Sequence, residues 1–374
     1  MNLPQNVLKI FELLKDYETY LIGGCVRDML WGAEVGDYDF STQATPKEMQ
    51  KIFHSHQIKT FDVGIEFGTL RVLLDDQIFE ITTFRKEGGY KTFRKPSAIS
   101  FASSLFEDIH RRDFTINAIA YHPESGLRDY CNGLQDIRDK ILRCIGDPKD
   151  RFYEDALRIL RAIGFVSRFG LCVESQTNQA IFQTASLLHH ISKERITAEW
   201  EKILKGKNMY FAFKQYQEVF EVLFRKKLKL PTSHQPLIAT AEILQDPDVL
   251  DLLQYPKKTK EEIKTYMQWL KKDIFLDKLS IKKALSVYPQ NWVESFLSEK
   301  PEKQIILQEI LENQEIFQLK DLAINGSDLL CFRPERRKEI LESALLKVMK
   351  GEITNERKSL LSFLRKNQES KDKS

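Results

Sequence analysis

The spacing of hydrophobic residues changes character once along the chain. Between about residues 18 and 145, apolar positions come in short runs: Thr19–Gly23, Gly68–Leu74, Ile78–Phe84 and Ile141–Ile145. Turn-forming Gly32, Gly36-Asp37, Asp75-Asp76 and Gly88-Gly89 separate them. Short runs between turn signals predict strands. From about residue 150, apolar positions recur every three or four residues. Glu154 to Phe165 places Leu157, Leu160 and Ile163 on one stripe, and 195–204, 209–224, 236–253, 260–270 and 338–349 read the same way. That period predicts helices. The lysine-rich segment Tyr255–Glu262 and the Pro301 region are expected to be linkers or helix breaks. Met1–Lys15 reads as a short helix whose apolar side carries Val7, Ile10, Phe11 and Leu14. The expectation is an α+β protein: a mixed-sheet head ending near Ile145, then an all-helical remainder.

Length and composition add limits. A chain of 374 residues suggests two or three domains. With 42% hydrophobic and 30% charged residues it has an ordinary globular mixture. No stretch approaches the roughly 18 apolar residues of a membrane span, and the N-terminus lacks a signal-peptide pattern. A cytoplasmic protein without membrane association is expected. The five cysteines, Cys25, Cys131, Cys144, Cys172 and Cys331, form no CxxC pair, so neither a zinc knuckle nor a redox motif is supported. Scattered thiols fit a reducing cytosol. The adjacent His189 and His190 read as helix surface rather than a metal site. The net charge of +3 is small. Lys and Arg nevertheless cluster in 85–95, 225–229, 257–264 and 333–338, which favours a phosphate-backbone partner.

The strongest chemical signal is Leu21-Ile-Gly-Gly-Cys-Val-Arg-Asp28 followed by Gly36-Asp-Tyr-Asp-Phe40. Glycines after a strand let a triphosphate approach the backbone, and the helix that follows points amides at the anion. Asp37 and Asp39 are two residues apart, so on a strand both carboxylates face one side. Two such carboxylates can hold two magnesium ions about 4 Å apart. One ion would activate an attacking hydroxyl and the other would neutralise a leaving pyrophosphate. Glu80, on a neighbouring expected strand, could serve as a third carboxylate or as a base. A lone DxD reads as a turn and an exposed residue. Strand, Gly-Gly, helix and DxD, with 12 residues between Gly24 and Asp37, reads as a nucleotidyltransferase centre.

With these residues in place, the chain resembles the polymerase β nucleotidyltransferase superfamily. It looks like the class II branch of tRNA CCA-adding enzymes and poly(A) polymerases. Further matching segments are Ile81-Thr-Thr-Phe-Arg85, Arg111-Arg-Asp-Phe-Thr-Ile-Asn-Ala118, Glu154-Asp-Ala-Leu-Arg158 with Arg161-Ala162, and Glu194-Arg-Ile-Thr-Ala-Glu199. A tail segment from Leu322-Ala-Ile-Asn-Gly326 through Gly351 and Asn355 looks like that of the shorter CCA-adding type. The stretch 208–320 matches through helical character alone. The resemblance implies a head (1–145), neck (146–207), body (208–300) and tail (301–374). The nucleotide would bind between head and neck, and the tRNA acceptor stem along neck, body and tail. By position, Gly24, Arg27 and Arg112 would contact the nucleotide or its phosphates. Asp155, Arg158 and Arg161 would form the neck's nucleotide-facing surface.

An Asp and an Arg can read a base. Asp155 and Arg158 are three apart on an expected helix and would share a face. A carboxylate only accepts hydrogen bonds and a guanidinium only donates. Cytosine and adenine both present an amine donor beside a ring-nitrogen acceptor; uracil and guanine present the reverse. Rejection through unpaired buried polar groups can reach roughly 10⁴-fold.

Other residues divide between structure and substrate. Arg111, Arg112 and Asp113 are expected near a helix start, with Arg112 on the triphosphate and Asp113 in bonds that fix the head. Glu194, Arg195 and Glu199 are expected to orient neck helices through salt bridges. Phe211, Phe213, Tyr216 and Phe220 are expected in the core. Two departures stand out. Gly164 occupies the place of a family arginine in Arg161-Ala-Ile-Gly-Phe165, with Arg168 one turn later. The loop Lys86–Pro96 has Thr92 in place of an acidic residue, and Arg94-Lys95 before the proline. In the family this loop serves the switch from C to A addition, and its length here is intact. The expected activity is addition of C, C and A to the 3′ end of tRNA from CTP and ATP with Mg2+. Rival readings are a partial A-adding or CC-adding enzyme, a poly(A) polymerase, and a non-catalytic RNA-binding protein on an inactive scaffold. A pairing of two copies stays open.

Overall fold

The short apolar runs of the first 145 residues do fold as strands. The computed structural model describes residues 3–62, 64–92, 95–272, 275, 277–330 and 332–369. Arg94, Cys331 and the end of the chain from 370 lie outside the described residues, as do the side chains of 87–99, including Thr92 and Lys95.

Strands β1 (Thr19–Ile22), β2 (Asp39–Thr42), β3 (Lys59–Phe61), β4 (Thr69–Leu74), β5 (Gln77–Thr83), β6 (Arg85–Thr92), β7 (Lys95–Phe101), β8 (Ile119–His122) and β9 (Gly126–Asp129) belong to the head. Seven of them form one sheet in the order β3-β4-β5-β2-β1-β8-β9, and β6 pairs with β7 as a separate hairpin. β2 and β5 run parallel, whereas the other pairs of the large sheet are antiparallel, so the sheet is mixed. The expected strand Ile141–Ile145 shrinks to β10 (Ile141–Leu142), which pairs outside the large sheet with β11 (Cys172–Val173).

Helices α1 (Gln5–Leu13), α2 (Gly24–Leu30), α3 (Pro46–Ser55), α4 (Leu105–His110) and α5 (Gly133–Asp139) accompany the strands. Strand alternation assigns the two faces of β2. Phe40 is buried and meets Phe11 of α1, ring centroids 5.3 Å apart. Ser41 points the other way and donates to Asp108 of α4. Asp39 therefore shares the α4 face. There Leu105 and Ile109 pack on Ile22, Ala118, Ala120 and Ile145.

Helices then dominate, with β11 breaking the expected all-helical run between α7 and α8: α6 (Pro148–Glu154), α7 (Leu157–Phe169), α8 (Ser175–Thr184), α9 (Lys193–Leu204), α10 (Met209–Gln215) and α11 (Gln217–Phe224). The stripe expected from Glu154 to Phe165 is broken at Asp155. The 209–224 stretch breaks at Tyr216. Trp200 is fully buried among Phe213, Phe220 and Phe224, at 6.2, 5.5 and 5.1 Å. Of the four aromatics expected in the core, Phe213, Tyr216 and Phe220 are buried and Phe211 is exposed.

The chain divides into two compact units, Met1–Leu230 with Asp251–Gln254, and Pro231–Leu250 with Tyr255–Ser374. The second holds α12 (Pro236–Leu244), α13 (Pro247–Leu250), α14 (Lys257–Lys272), α15 (Lys278–Val287), α16 (Gln290–Leu297), α17 (Pro301–Glu312), α18 (Pro334–Met349) and α19 (Arg357–Glu369). Trp269 packs against Tyr266, Phe275, Tyr288 and Phe296, and Leu329, Ala344 and Leu360 centre a further cluster. Pro236, Pro301 and Pro334 stand at helix starts, where a missing N–H costs nothing. Tyr255–Glu262 is mostly helix rather than linker, because α14 begins at Lys257. Among the described residues no helix is long and apolar enough to cross a membrane.

The close approach of α7 and α9 depends on Gly206. A Cβ there would lie 2.1 Å from Ser167 Oγ and 2.5 Å from the Ser167 carbonyl. Gly206→Ala is expected to lower unfolding stability by about 1–3 kcal/mol through overpacking. Gly326→Ala, where a Cβ meets nothing within 4 Å, should stay within about 0.5 kcal/mol. Denaturant melts of both variants test the contrast.

Candidate active site

β1 delivers the chain to Gly23, whose φ of +83° is strained for any residue with a Cβ, and Gly24 opens α2. A Cβ on Gly23 would stand 3.6 Å from Arg112 Nη1, and one on Gly24 3.5 Å from Arg27 Nη2. The glycine pair is thus backed by two guanidinium groups. α2 has only seven residues, so the fixed charges rather than its dipole dominate here.

The two arginines differ. Arg112 donates Nη2 to Asp108 at 3.1 Å, and its buried Nε has no hydrogen-bond partner among the described residues. A buried charged donor without an acceptor suits an anionic ligand. Arg27 is already engaged, against the expectation of a group turned to phosphates. It bonds Asp28 at 2.9 Å and Asn117 at 2.7 Å, and lies over Trp31, Phe165 and Phe169 at 5.6, 5.4 and 4.9 Å. Phe165 and Phe169 belong to α7, so Arg27 ties the cradle to the following helices.

Arg111 and Arg112 follow the end of α4 rather than a helix start. Asp108, one turn earlier, takes both of them at 2.7 and 3.1 Å, plus Ser41 Oγ and the Arg85 amide. Burial alone would raise its pKa; Arg112 and Arg111 outweigh that and hold it at about 2. Asp113 accepts from the Phe114 amide and Asn117 through Oδ1 and from Arg161 through Oδ2. Burial would raise its pKa too, and Arg161 brings it down to about 2. Arg161 therefore braces α7 against the head rather than turning to a nucleotide.

Asp39 opens β2 and pairs in register with Glu80 of β5, so the strands set these two carboxylates side by side. Asp37 precedes the strand, in a stretch without regular structure, and is exposed. The two aspartates therefore do not share one strand as expected. They still interact: surrounding protein, then Glu80, then Asp37 push the Asp39 carboxyl up to about 6, with Arg112 opposing. Asp39 nonetheless remains exposed at the start of β2. Glu80 is bound to Arg71 through a 2.6 Å contact. Among the described residues no group of three or more His, Cys, Asp or Glu is arranged to hold a metal. His189 is a surface residue bonded to the Val222 carbonyl.

Asp155 and Arg158 do not lie on one continuous helix. Asp155 ends α6 in an extended conformation and caps α7 by accepting from the Leu157 amide at 3.1 Å. Asp competes with helix hydrogen bonding in this way, which explains the break. Arg195 grips Asp155 with two N–H groups, at 3.1 and 2.7 Å. Arg158 is buried and donates to Glu154 at 2.7 Å and to the carbonyls of Arg151 and Arg111. Gly164 leaves room for a Cβ 3.7 Å from Glu199 Oε2. A cavity of about 40 Å³ lies there, lined by Arg161, Gly164, Phe165, Arg168, Glu199 and Lys202. Glu199 pairs with Lys202 at 2.8 Å.

Sequence reasoning missed Asp108, Asn117 and the Arg195–Asp155 grip. Asp108 stands three and four residues before Arg111 and Arg112, a spacing that signals such pairing. The contacts of Asn117 with Arg27 and of Arg195 with Asp155 carried no local signal, because these partners are distant in sequence.

The Asp113 pairing has a signed consequence for stability. A carboxyl with a folded pKa near 2 contributes stability above its ordinary value, and loses it as pH falls from about 4 to 2. Asp113→Asn should cost about 2 kcal/mol at pH 7. Urea melts should show the gap to the parent protein closing between about pH 4 and 2.

Comparison with known proteins agrees with this geometry. Residues 19–143 match the Poly A polymerase head domain, and 170–224 match a family described as the probable RNA and SrmB-binding site of polymerase A. The CCA-adding enzyme of Bacillus subtilis (strain 168) is 36% identical over 381 residues, spanning 93% of this chain and 94% of that protein. The CCA-adding enzyme of Bacillus licheniformis is also 36% identical, over 96% of this chain and 97% of its own. The solved Bacillus stearothermophilus CCA-adding enzyme in complex with CTP superposes with a TM-score of 0.83 at 29% identity, covering 100% of both chains. Similarity of this extent shows that the chain belongs to the class II family of CCA-adding enzymes and poly(A) polymerases.

Proposed function

We propose that this chain adds C, C and A to the 3′ end of tRNA, taking CTP and ATP without a nucleic-acid template. The observation that carries the reading is the placement of Asp39 beside Asp37 and Glu80, on the face of the sheet that also bears Asp108 and Arg112. Glu80 and Asp37 make ionisation of Asp39 costlier, which a divalent cation would relieve. Asp37 and Asp39 would hold magnesium. Two carboxylates suffice, since Mg2+ is commonly bound by one or two protein carboxylates plus substrate phosphates. When bound, the ions supply charge that activates the 3′-hydroxyl and neutralises pyrophosphate.

The chain's own groups do the rest. The Gly23-Gly24 backbone and Arg112 receive the triphosphate, with the Arg112 Nε–H as an unused donor. Arg27 holds the Gly24 side of the cradle against α7. Glu80 stays with Arg71 and shapes the charge at Asp39; as a base for the hydroxyl it would first have to leave that pair. Asp155 accepts from the exocyclic amine of cytosine or adenine. Arg158 donates to the ring nitrogen by exchanging a protein acceptor for the base, and Arg161 fixes α7 against the head. The division into head (1–145), neck (146–207), body (208–300) and tail (301–374) belongs to the same proposal, supported by a head-domain match ending at 143. So does a cytoplasmic location, where tRNA, CTP and ATP meet.

The reading is tested by extension of three tRNAs: one lacking CCA, one lacking CA, one lacking only the final A. Products from all three are expected. One class of product would mean a partial enzyme, long A tails a poly(A) polymerase, and no product a binding protein. Asp155→Ala should blur base choice as well as slow the reaction; unchanged choice would overturn the base-reading role.

Asp39 sets a pH dependence. With its carboxyl raised to about 6, protons compete with the cation below that pH. The magnesium concentration for half-maximal activity should be flat from pH 8 to 7 and rise about tenfold per unit below pH 6. Asp39→Asn should leave no measurable extension at any magnesium level.

A further inference from the structure

Arg195 is the third residue of α9. A cation in the first turn of a helix is opposed by the helix dipole. Its pairing with Asp155 offsets that cost, and the details of the pairing decide what Asp155 can do.

A carboxylate offers about four lone pairs. On Asp155, Oδ1 takes the Leu157 amide at 3.1 Å and Arg195 Nη1 at 3.1 Å. Oδ2 takes Arg195 Nη2 alone, at 2.7 Å. These contacts leave one acceptor position, on Oδ2. The pair is not sealed away: 20% of the Asp155 side chain and 29% of the Arg195 side chain remain exposed.

We propose that Arg195 is the positioning residue of base selection. It clamps both oxygens of Asp155 so that a single acceptor lone pair, on Oδ2, faces the incoming base. The inference rests on the reading of Asp155 given above. One lone pair matches one exocyclic amine N–H, the group that cytosine and adenine share. Uracil and guanine bring a carbonyl oxygen to that place, and two acceptors then face each other. An unclamped carboxylate could rotate aside and let water bridge the mismatch, so selectivity needs the clamp as well as the carboxylate. The fork shape of guanidinium is essential, because a lysine ammonium acts as a point donor and cannot fix both oxygens in one plane.

The test uses full-length protein and tRNA lacking its last CA, with kcat and KM measured separately for CTP and UTP. Arg195→Met and Arg195→Lys should each lower the CTP over UTP preference in kcat/KM by about tenfold to a hundredfold, the worth of one well-oriented bidentate contact. Melting curves accompany the assay. If Arg195→Met does not fold, Arg195→Lys, which keeps charge and most of the packing, decides. A fall in rate that is equal for both nucleotides would overturn the proposal, since a mere strut between helices gives that result. Full selectivity in Arg195→Lys would overturn it as well. Asp155→Ala is measured in parallel. If it leaves base choice intact, the reading of Asp155 fails and the clamp with it. If it blurs choice while both Arg195 variants stay selective, only the clamp fails.

Discussion

A buried carboxylate stays charged only if cations and N–H donors surround it, and Asp113 gathers them from both sides of the boundary between sheet and helices. Asn117 and the Phe114 amide come from the head, and Arg161 comes from α7. Five residues earlier, Asp108 does the same within the head, joining β2, the start of β6 and the end of α4. The strip 108–113 is thus a seam of charge-assisted bonds at which α7 is fixed against the head. Such bonds are geometrically demanding, so the seam sets position as well as stability.

The same chemistry divides the arginines into two kinds. Arg27, Arg158 and Arg161 are engaged by protein partners. Arg112 retains a buried donor without an acceptor beside the glycine pair. The carboxylates divide likewise. Asp108 and Asp113 are satisfied by cations and N–H donors, Asp155 is held by Arg195 with one acceptor position left, and Asp37 and Asp39 face like charge. Unbalanced positive and negative groups, Arg112 and the carboxylates around Asp39, meet in one region of the head. That contrast, more than any motif, marks where a ligand belongs.

Much of this could be read in the sequence, and for identifiable reasons. β4 and β5 followed from short apolar runs bounded by turns, and α9 and α18 from apolar stripes. The glycine cradle and the acidic pair were legible because their chemistry depends on short spacing. β8 and β9, each only four residues long, passed unnoticed. The continuous helix expected across Asp155 failed because side-chain capping beat periodicity at one residue. Tyr255–Glu262 looked like a linker because its lysines hide a helix whose apolar face lies further along, at Ile263, Tyr266 and Met267. The tertiary choices of Arg27, Arg161 and Arg195 were invisible, since a long cationic side chain finds its partner only after the chain has folded.

The setting of Arg27 reaches beyond the chemistry of the cradle. Its guanidinium rests among Trp31 of the head and Phe165 and Phe169 of α7. Those rings touch none of the groups assigned to metal or base, yet their bulk fixes where the cation sits, and the cation touches the glycine turn. Evolution is therefore not at liberty to trade these aromatics one at a time. A change in ring size on α7 would be felt as a displaced floor under the triphosphate, and drift at Phe169 is paced by Arg27, far earlier in the chain.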